Sequence, residues 1–533
     1  MNVSSRPPNH TARSATYALV GSALLVSGLF YLRFGYQYGF SDQDEFLPLV
    51  LKWMNSSLFE ADWFVQSQSS AITVRTAFAS IVYFFSQFIG AKLGVLLVHV
   101  ATGIALVWGL IRVSNRLYHN ELSSIVFVLL VLVLTPRWNP GGNDLWHAML
   151  VPSTLAWTFA VWSLDQLMGK RFLGGGLLIA AAMVVHPLIG LQLGCILGTV
   201  TFWKHGRSAV WFLLPFMLVA VPSVIVFSGG VEPQDTLSST YVLTTLRAPH
   251  HYLPEAFSAT SWLKWLFIVV PGFLYLWTDN NSIKRSRINS SLISSGLSRD
   301  WILGLAVVSS IVVLLGLMFG TVLPIPAVIK LQPFTIAVWI RMLASLGLSA
   351  LFVASIPFGI RTNLERFVKR PSFVVLAVVT ALTIPLLGTT SRAVEGQLDS
   401  ETATWIQENT PVSALFAIPP SLSGFQIQTQ RAQFVNFKAF PFQGNEANEW
   451  LDRLLTIAPT EQLEPGGTAF QSRLDQAFDN LTPVQWDSIH DRANIDYLVR
   501  RAYSLNEWET HPNAWCSTQW CVYDLSSPPT NGF

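Results

Sequence analysis

Charge is scarce in this chain. Asp, Glu, Lys and Arg make up 12% of its 533 residues, about half the ~25% typical of soluble domains. So little charge argues against a protein surrounded by water on all sides. Cysteine is scarcer still, at three residues, which excludes a disulfide-dense scaffold and a zinc site built mainly from thiolates. Cys195 lies in an apolar run and reads as a packing residue. Cys516 and Cys521 sit close together as C-S-T-Q-W-C; they are a small disulfide loop if the tail meets an oxidising compartment, and two free thiols otherwise. Several motifs are also missing. There is no Walker loop, dinucleotide fingerprint, zinc ligand set or Ser-His-Asp order, which argues against chemistry driven by cytoplasmic ATP. No dense basic cluster with interleaved aromatics occurs, so no nucleic-acid partner is expected.

What is present is apolar. Hydrophobic residues make up 51% of the chain, with 20 Trp and 35 Phe, and the mean hydropathy is +0.43. The net charge of +2 conceals a split. Residues 1–388 carry 25 Lys and Arg against 14 Asp and Glu, whereas residues 389–533 carry 8 against 17. A basic, apolar part joined to an acidic tail reads as two solvents and two domains.

A membrane-spanning helix needs about 20 mostly apolar residues. Such runs, some of them short, occur at 15–32, 93–111, 123–135, 147–167, 172–185, 187–203, 209–227, 262–277, 301–320, 334–357 and 372–388. The expected fold is an α-helical polytopic membrane protein of about 11 transmembrane helices, its lipid bilayer being the first partner. The run 73–90 is read as an interfacial helix. That assignment puts the basic groups Lys170/Arg171, Lys204/Arg207, Lys284/Arg285/Arg287 and Arg361/Arg366/Lys369/Arg370 on the inner side, as the positive-inside rule requires. The N-terminus, with Arg6 and Arg13, is then cytoplasmic, and the first span is a retained anchor. The expected domains are a membrane domain, 1–388, with an acidic first outer loop, 33–90, and a small extracytoplasmic α/β domain, 389–533. Strand-like runs at 414–418, 497–499 and 520–523 and helix-like runs at 445–457 and 470–481 supply the tail's elements.

The densest candidate site opens the first outer loop, where Asp42, Asp44 and Glu45 fall within four residues. Close carboxylates raise one another's pKa, and a raised carboxylate is a good general base. Asp42 and Asp44 could instead share a divalent cation, Mg or Mn; the plain alternative is a solvated helix start. The segment 42–55 reads as an amphipathic helix. Asp62 could hold a cation or a sugar hydroxyl, or cap the next helix. In the turn 137–144, Arg137 could pair a phosphate and Asp144 bind hydroxyls, with a plain tight turn as the alternative. Arg247, His250 and His251 form a stiff polar element between prolines, suited to a lipid phosphate or a sugar more than to a metal, with structural histidines hydrogen-bonded to backbone as the alternative. Arg341 lies inside a span, where an arginine usually faces the protein interior or a cavity. His186 reads as a packing or hydrogen-bonding residue.

The layout as a whole resembles the GT-C superfamily of membrane glycosyltransferases, which includes the protein mannosyltransferases and the aminoarabinose transferase, and more closely a bacterial family of GT-C-like membrane proteins. The segments that carry the resemblance are Ser41 to Pro48 (S-D-Q-D-E-F-L-P), Asp62 to Val65, Arg247 to His251, Arg431 to Lys438 and Glu449 to Arg453. It implies a transferase using a polyprenyl-phosphate sugar, with a glycan, lipid or protein as acceptor, on the outer face of a bacterial inner membrane. By position Asp42 or Asp44 matches the family's acid, and basic residues hold the phosphate. The sequence departs from a clean pair of adjacent acids after the first span. A transporter or flippase and a non-catalytic scaffold are the competing classes. Convergence of Asp42, Asp44, Arg137, Arg247 and Arg341 on one outward cavity would favour the enzyme. A cavity across the bilayer midplane would favour transport, and scattered charges the scaffold.

Overall fold

The computed structural model describes residues 10–118, 120–228, 237–282, 296–388, 397–442, 446–502 and 514–526. Arg6 and the Lys284/Arg285/Arg287 cluster lie outside these residues. Each of the eleven apolar runs falls on a helix: His10–Phe34, Ala91–Tyr118, Glu121–Val128 with its continuation Leu129–Leu134, Pro152–Met168, Phe172–Val185, Pro187–His205, Val210–Ser228, Ala259–Ser282, Gly296–Leu317, Ile336–Ser355 and Pro371–Gly388. Among the described residues five stretches are long and apolar enough on their own to cross a membrane: Ala91–Tyr118, Pro187–Val226, Ala259–Thr278, Arg299–Val322 and Pro326–Ser355. The protein is a multi-pass helical membrane protein. Its helices turn large apolar side chains outward, among them Phe202, Trp203, Trp211, Leu218, Leu263, Phe267, Trp277 and Val307. In water such a surface would be an association liability; against lipid tails it is at home.

Helices meet where small residues let backbones approach. A Cβ added to Gly347 would stand 2.0 Å from the Gly272 carbonyl oxygen, so Ile336–Ser355 and Ala259–Ser282 cross almost backbone to backbone. Two sequence expectations change. The run 147–167 becomes helical only at Pro152, because the turn before it carries Pro140 and two glycines at positive φ, Gly141 and Gly142. Cys195 is exposed on the outward face of its helix rather than packed inside.

The run 73–90 forms the helix Thr76–Ile89, of 14 residues, about 21 Å long. It buries Phe78, Ala79 and Val82 and exposes Phe84, Phe85 and Phe88. The 42–55 segment is a 3-10 turn, Ser41–Glu45, followed by the helix Leu47–Met54.

The C-terminal segment forms a five-stranded sheet from β1 (Leu415–Ala417), β2 (Ala432–Gln433), β3 (Tyr497–Arg501), β4 (Ala514–Cys516) and β5 (Trp520–Asp524), in the order β2-β1-β3-β5-β4. β1 pairs in parallel with β2 and β3, and β5 is antiparallel to β3 and β4. All three strand-like runs lie on these strands, and the helix-like runs lie on Glu446–Ile457 and Thr468–Asp479. Cys516 and Cys521 are disulfide-bonded across the β4–β5 hairpin.

The tail is not a bead on a string. Its apolar residues Phe437, Trp450, Phe470 and Leu474 share one core with Val242, Leu246, Ala248 and Tyr252 from the 239–252 segment. Two glycines permit the contact. A Cβ at Gly466 would stand 1.7 Å from the Thr245 carbonyl oxygen. Gly424 has φ +77, and its Cβ would stand 2.1 Å from the Gly39 carbonyl oxygen. Gly424→Ala is therefore expected to cost more than about 1 kcal/mol through strain and overlap. Limited proteolysis should show the 415–442 region cut faster than in the native protein.

Candidate functional site

The acidic turn is built so that its three carboxylates face different ways. Gln43 is fully buried; its Oε1 accepts from the Gly39 N–H at 2.6 Å, and its Nε2 donates to the Leu150 carbonyl at 3.4 Å. Pinned there, the turn points Asp44 into the protein. Asp44 Oδ2 accepts from Ser423 Oγ at 2.6 Å, and Oδ1 accepts from the Gly424 N–H at 2.9 Å. Burial, against these hydrogen bonds, pushes the Asp44 carboxyl up to about 7. Glu45 pairs with Arg75 at 2.9 Å, and Arg247 stands 3.7 Å from its other oxygen. Arg75 is itself buried between the Phe64 and Phe442 rings and donates to the Phe440 carbonyl.

Asp42 differs from its neighbours. Its side chain is 41% exposed and forms an ion pair with Lys438 of the tail, itself 28% exposed. Burial of the surroundings opposes ionisation of Asp42. The Lys438 ammonium, with smaller contributions from His147 and His251, overcomes that and holds its carboxyl well below the usual carboxylate range.

Arg247 is buried. It donates to the Lys438 carbonyl at 3.0 Å and lies over the Phe437 ring, 5.1 Å from its centroid. The His250 and His251 rings contact each other with centroids 4.1 Å apart, and His251 Nδ1 is 2.8 Å from the Gly141 carbonyl oxygen. Desolvation, helped by Arg247 and Lys438, pushes His250 down to about 4; burial and His250 push His251 to about 3. Both imidazoles are thus neutral near pH 7 and act as hydrogen-bonding groups.

The structure brings Asp42, Asp44, Glu45, Arg247, His250 and His251 together at one end of the helix bundle. Asp144 and Arg341 lie beside this group through the Gly141 turn and form their own buried ion pair at 2.8 Å. Asp144 also accepts from the Arg137 N–H at 3.0 Å, which holds Arg137 at φ +56 with its side chain exposed. Arg137 does not point inward with the others. Asp62 is fully buried and caps the helix Trp63–Ser70, accepting from the Val65 N–H at 3.0 Å. Its second oxygen accepts from Gln426 Nε2 and the Gln433 N–H. That is the capping alternative, extended by a link to the tail. His186 likewise caps its helix, accepting from the Ile189 N–H.

Two residues of the cluster carried no role in the sequence reading. Lys438 lay in a stretch noted for its resemblance alone, and Arg75 opened the interfacial helix. Nothing local marks either, because both owe their place to tail docking.

A divalent cation shared by Asp42 and Asp44 does not fit. Asp44 is engaged by Ser423 and Gly424, and Asp42 faces an ammonium group. Among the described residues no three His, Cys, Asp or Glu side chains gather to hold a metal.

The state of Asp44 sets a pH dependence. Its pKa is raised above the ~3.9 of an unfolded chain, so docking favours the protonated form. Stability contributed here is greatest below about pH 4 and declines as pH rises toward about 7. Asp44→Asn, which mimics the protonated acid, should keep the tail docked and flatten this slope. Asp44→Ala should undock it. Unfolding measured in detergent between pH 5 and pH 8 reads both.

A family model described as a domain of unknown function (DUF6798) matches residues 399–457. No curated protein matches the chain. Among solved structures, the crystal structure of ArnT from Cupriavidus metallidurans in the apo state is similar over 97% of this chain and 100% of that one, with TM-score 0.51 and 13% sequence identity. The multi-pass bundle, the small C-terminal sheet and this whole-chain likeness together show that the protein shares the fold of that structure.

Proposed function

We propose that this protein is a membrane glycosyltransferase that moves a sugar from a polyprenyl-phosphate donor to a hydroxyl of a glycan, lipid or protein acceptor. The observation that carries the reading is Asp42: of the three acids in its turn it is the one left facing outward, with Arg247, His250 and His251 beside it. Asp42 takes the acceptor's hydroxyl proton. The oxygen attacks the anomeric carbon, the bond from that carbon to the phosphate oxygen breaks, and the phosphate leaves with the electron pair. Arg247 stabilises the charge that develops there. Neutral His250 and His251 bond to hydroxyl or phosphate oxygens and contribute no charge. Asp44, Asp62 and Arg75 dock the tail, and the Asp144–Arg341 pair braces the 137–144 turn.

Charge supports one orientation of the bundle. Ion pairs and hydrogen bonds of Arg112 and Arg116 with Asp165, of Asn120 with Glu365 and of Lys369 with Glu121 mark the bundle end away from the site. Lys170, Arg171, Arg366 and Arg370 follow the same turns. The positive-inside rule supports a cytoplasmic placement for that end in a bacterial inner membrane, with the tail outside. Of the five residues whose convergence would favour an enzyme, Asp42, Asp44 and Arg247 gather here, whereas Arg137 turns outward and Arg341 is paired with Asp144.

The test is transfer from radiolabelled polyprenyl-phosphate sugars in membranes. Loss of transfer in Asp42→Asn at unchanged protein level supports the reading. A folded native protein that transfers from no donor overturns it in favour of transport or scaffolding.

A further inference from the structure

We propose that Lys438 is a phosphate-binding residue which the tail delivers to the site, and that the donor's phosphate exchanges with Asp42 for its ammonium group. This inference rests on the reading above and deepens it by naming the group that recognises the phosphate and frees the base.

The cluster contains three acids and three cations, but they are not equally committed. Glu45 and Arg75 pair with little exposure, at 19% and 4% of their side-chain surfaces. Arg247 is buried against Phe437 and tied to the Lys438 carbonyl. Asp44 is engaged by Ser423 and Gly424. Asp42 and Lys438 alone in this group combine opposite charge with substantial exposure on both sides. An ammonium group carries three donors on a flexible stem, so Lys438 can turn from carboxylate to phosphate without moving its backbone. That backbone is held firmly: the Lys438 N–H donates to Asn436 Oδ1 at 2.5 Å, and Asn436 Nδ2 donates to the Leu422 carbonyl at 2.7 Å.

The exchange links binding to chemistry. While Lys438 pairs with Asp42, the carboxylate is a weak base. A phosphate that takes Lys438 leaves Asp42 beside a negative charge in a partly desolvated place, where its affinity for a proton rises. The base is then strengthened when the donor is in place. After transfer the phosphate departs from Lys438, and the ion pair re-forms.

Competition makes a prediction that a merely structural ion pair does not. Removing the Asp42 charge should tighten phosphate binding. Affinity is measured by calorimetry on the full chain in detergent, with a short-chain isoprenyl phosphate in one arm and inorganic phosphate in the other. Asp42→Asn is expected to bind isoprenyl phosphate about three- to five-fold more tightly, the scale of an exposed ion pair. Lys438→Ala should bind it about ten-fold or more weakly, and Lys438→Arg should retain binding. Equal gains for both probes would assign the site to phosphate alone; gain for the isoprenyl form only would assign it to a lipid headgroup. Unchanged or weaker binding in Asp42→Asn, with unfolding temperature preserved, overturns the exchange. So does unchanged binding in Lys438→Ala. Either result leaves the transfer assay free to stand, so failure of this inference and failure of the transferase reading are separable. Unfolding temperatures for all three variants separate lost binding from lost structure.

Discussion

Asp42→Asn is expected to reduce sugar transfer by about 10²- to 10⁴-fold, the range of a general base, with the unfolding temperature nearly unchanged. Asn preserves the size and polarity of the side chain and removes only its ability to accept a proton. Asp42 is half-exposed at the start of a turn held by buried Gln43, so the substitution leaves no buried group unpaired. The pH profile should carry the same signature. With Asp42 held below the usual carboxylate range in the free protein, the acid limb of kcat/KM should lie at unusually low pH. The acid limb of kcat, which reports the donor-bound state, should lie higher if phosphate has taken Lys438. An Asp44→Asn protein, which keeps a hydrogen-bonding group at the tail contact, should retain far more transfer than Asp42→Asn. The reverse ranking would assign the base to Asp44.

The second large effect is on stability. Arg341→Met should cost about 3–5 kcal/mol in reversible denaturation in detergent, because it strands Asp144 as an uncompensated buried charge. Arg341 is fully buried and Asp144 nearly so. Asp144 also accepts from the Arg137 N–H, so any shift of the stranded carboxylate disturbs the 137–144 turn as well. The double variant Arg341→Met/Asp144→Asn should recover most of the loss. A buried pair is often worth no more than well-packed neutral groups, whereas half a pair is very costly. Arg341 Nε and Nη1 have no hydrogen-bond partner among the described residues, which makes full recovery still more reasonable. A double variant as unstable as the single one would show that the pair does more than brace the turn.

The sequence by itself determined the solvent. Scarce charge and long apolar runs require lipid around the bundle, since no arrangement in water could cover so much hydrocarbon, and every apolar run lies on a helix. It also located polar segments that meet at one end of that bundle, because clustered acids and paired histidines interrupt the apolar pattern there. Strands β1, β3 and β5 of the tail were legible from short apolar runs, whereas β2 and β4 were not. What the sequence left open were the roles inside the site. Asp42, Asp44 and Asp62 are the same residue type, with the same intrinsic acidity. The tail makes them different: Ser423 and Gly424 engage Asp44, Gln426 and the Gln433 N–H engage Asp62, and Lys438 leaves Asp42 facing outward. Those partners come from the far end of the chain, and which of them reaches which carboxylate depends on Gly424 and Gly466 allowing two backbones to touch. Only the tertiary structure decides that, because burial and charge at a carboxylate are properties of its surroundings and not of its neighbours in sequence.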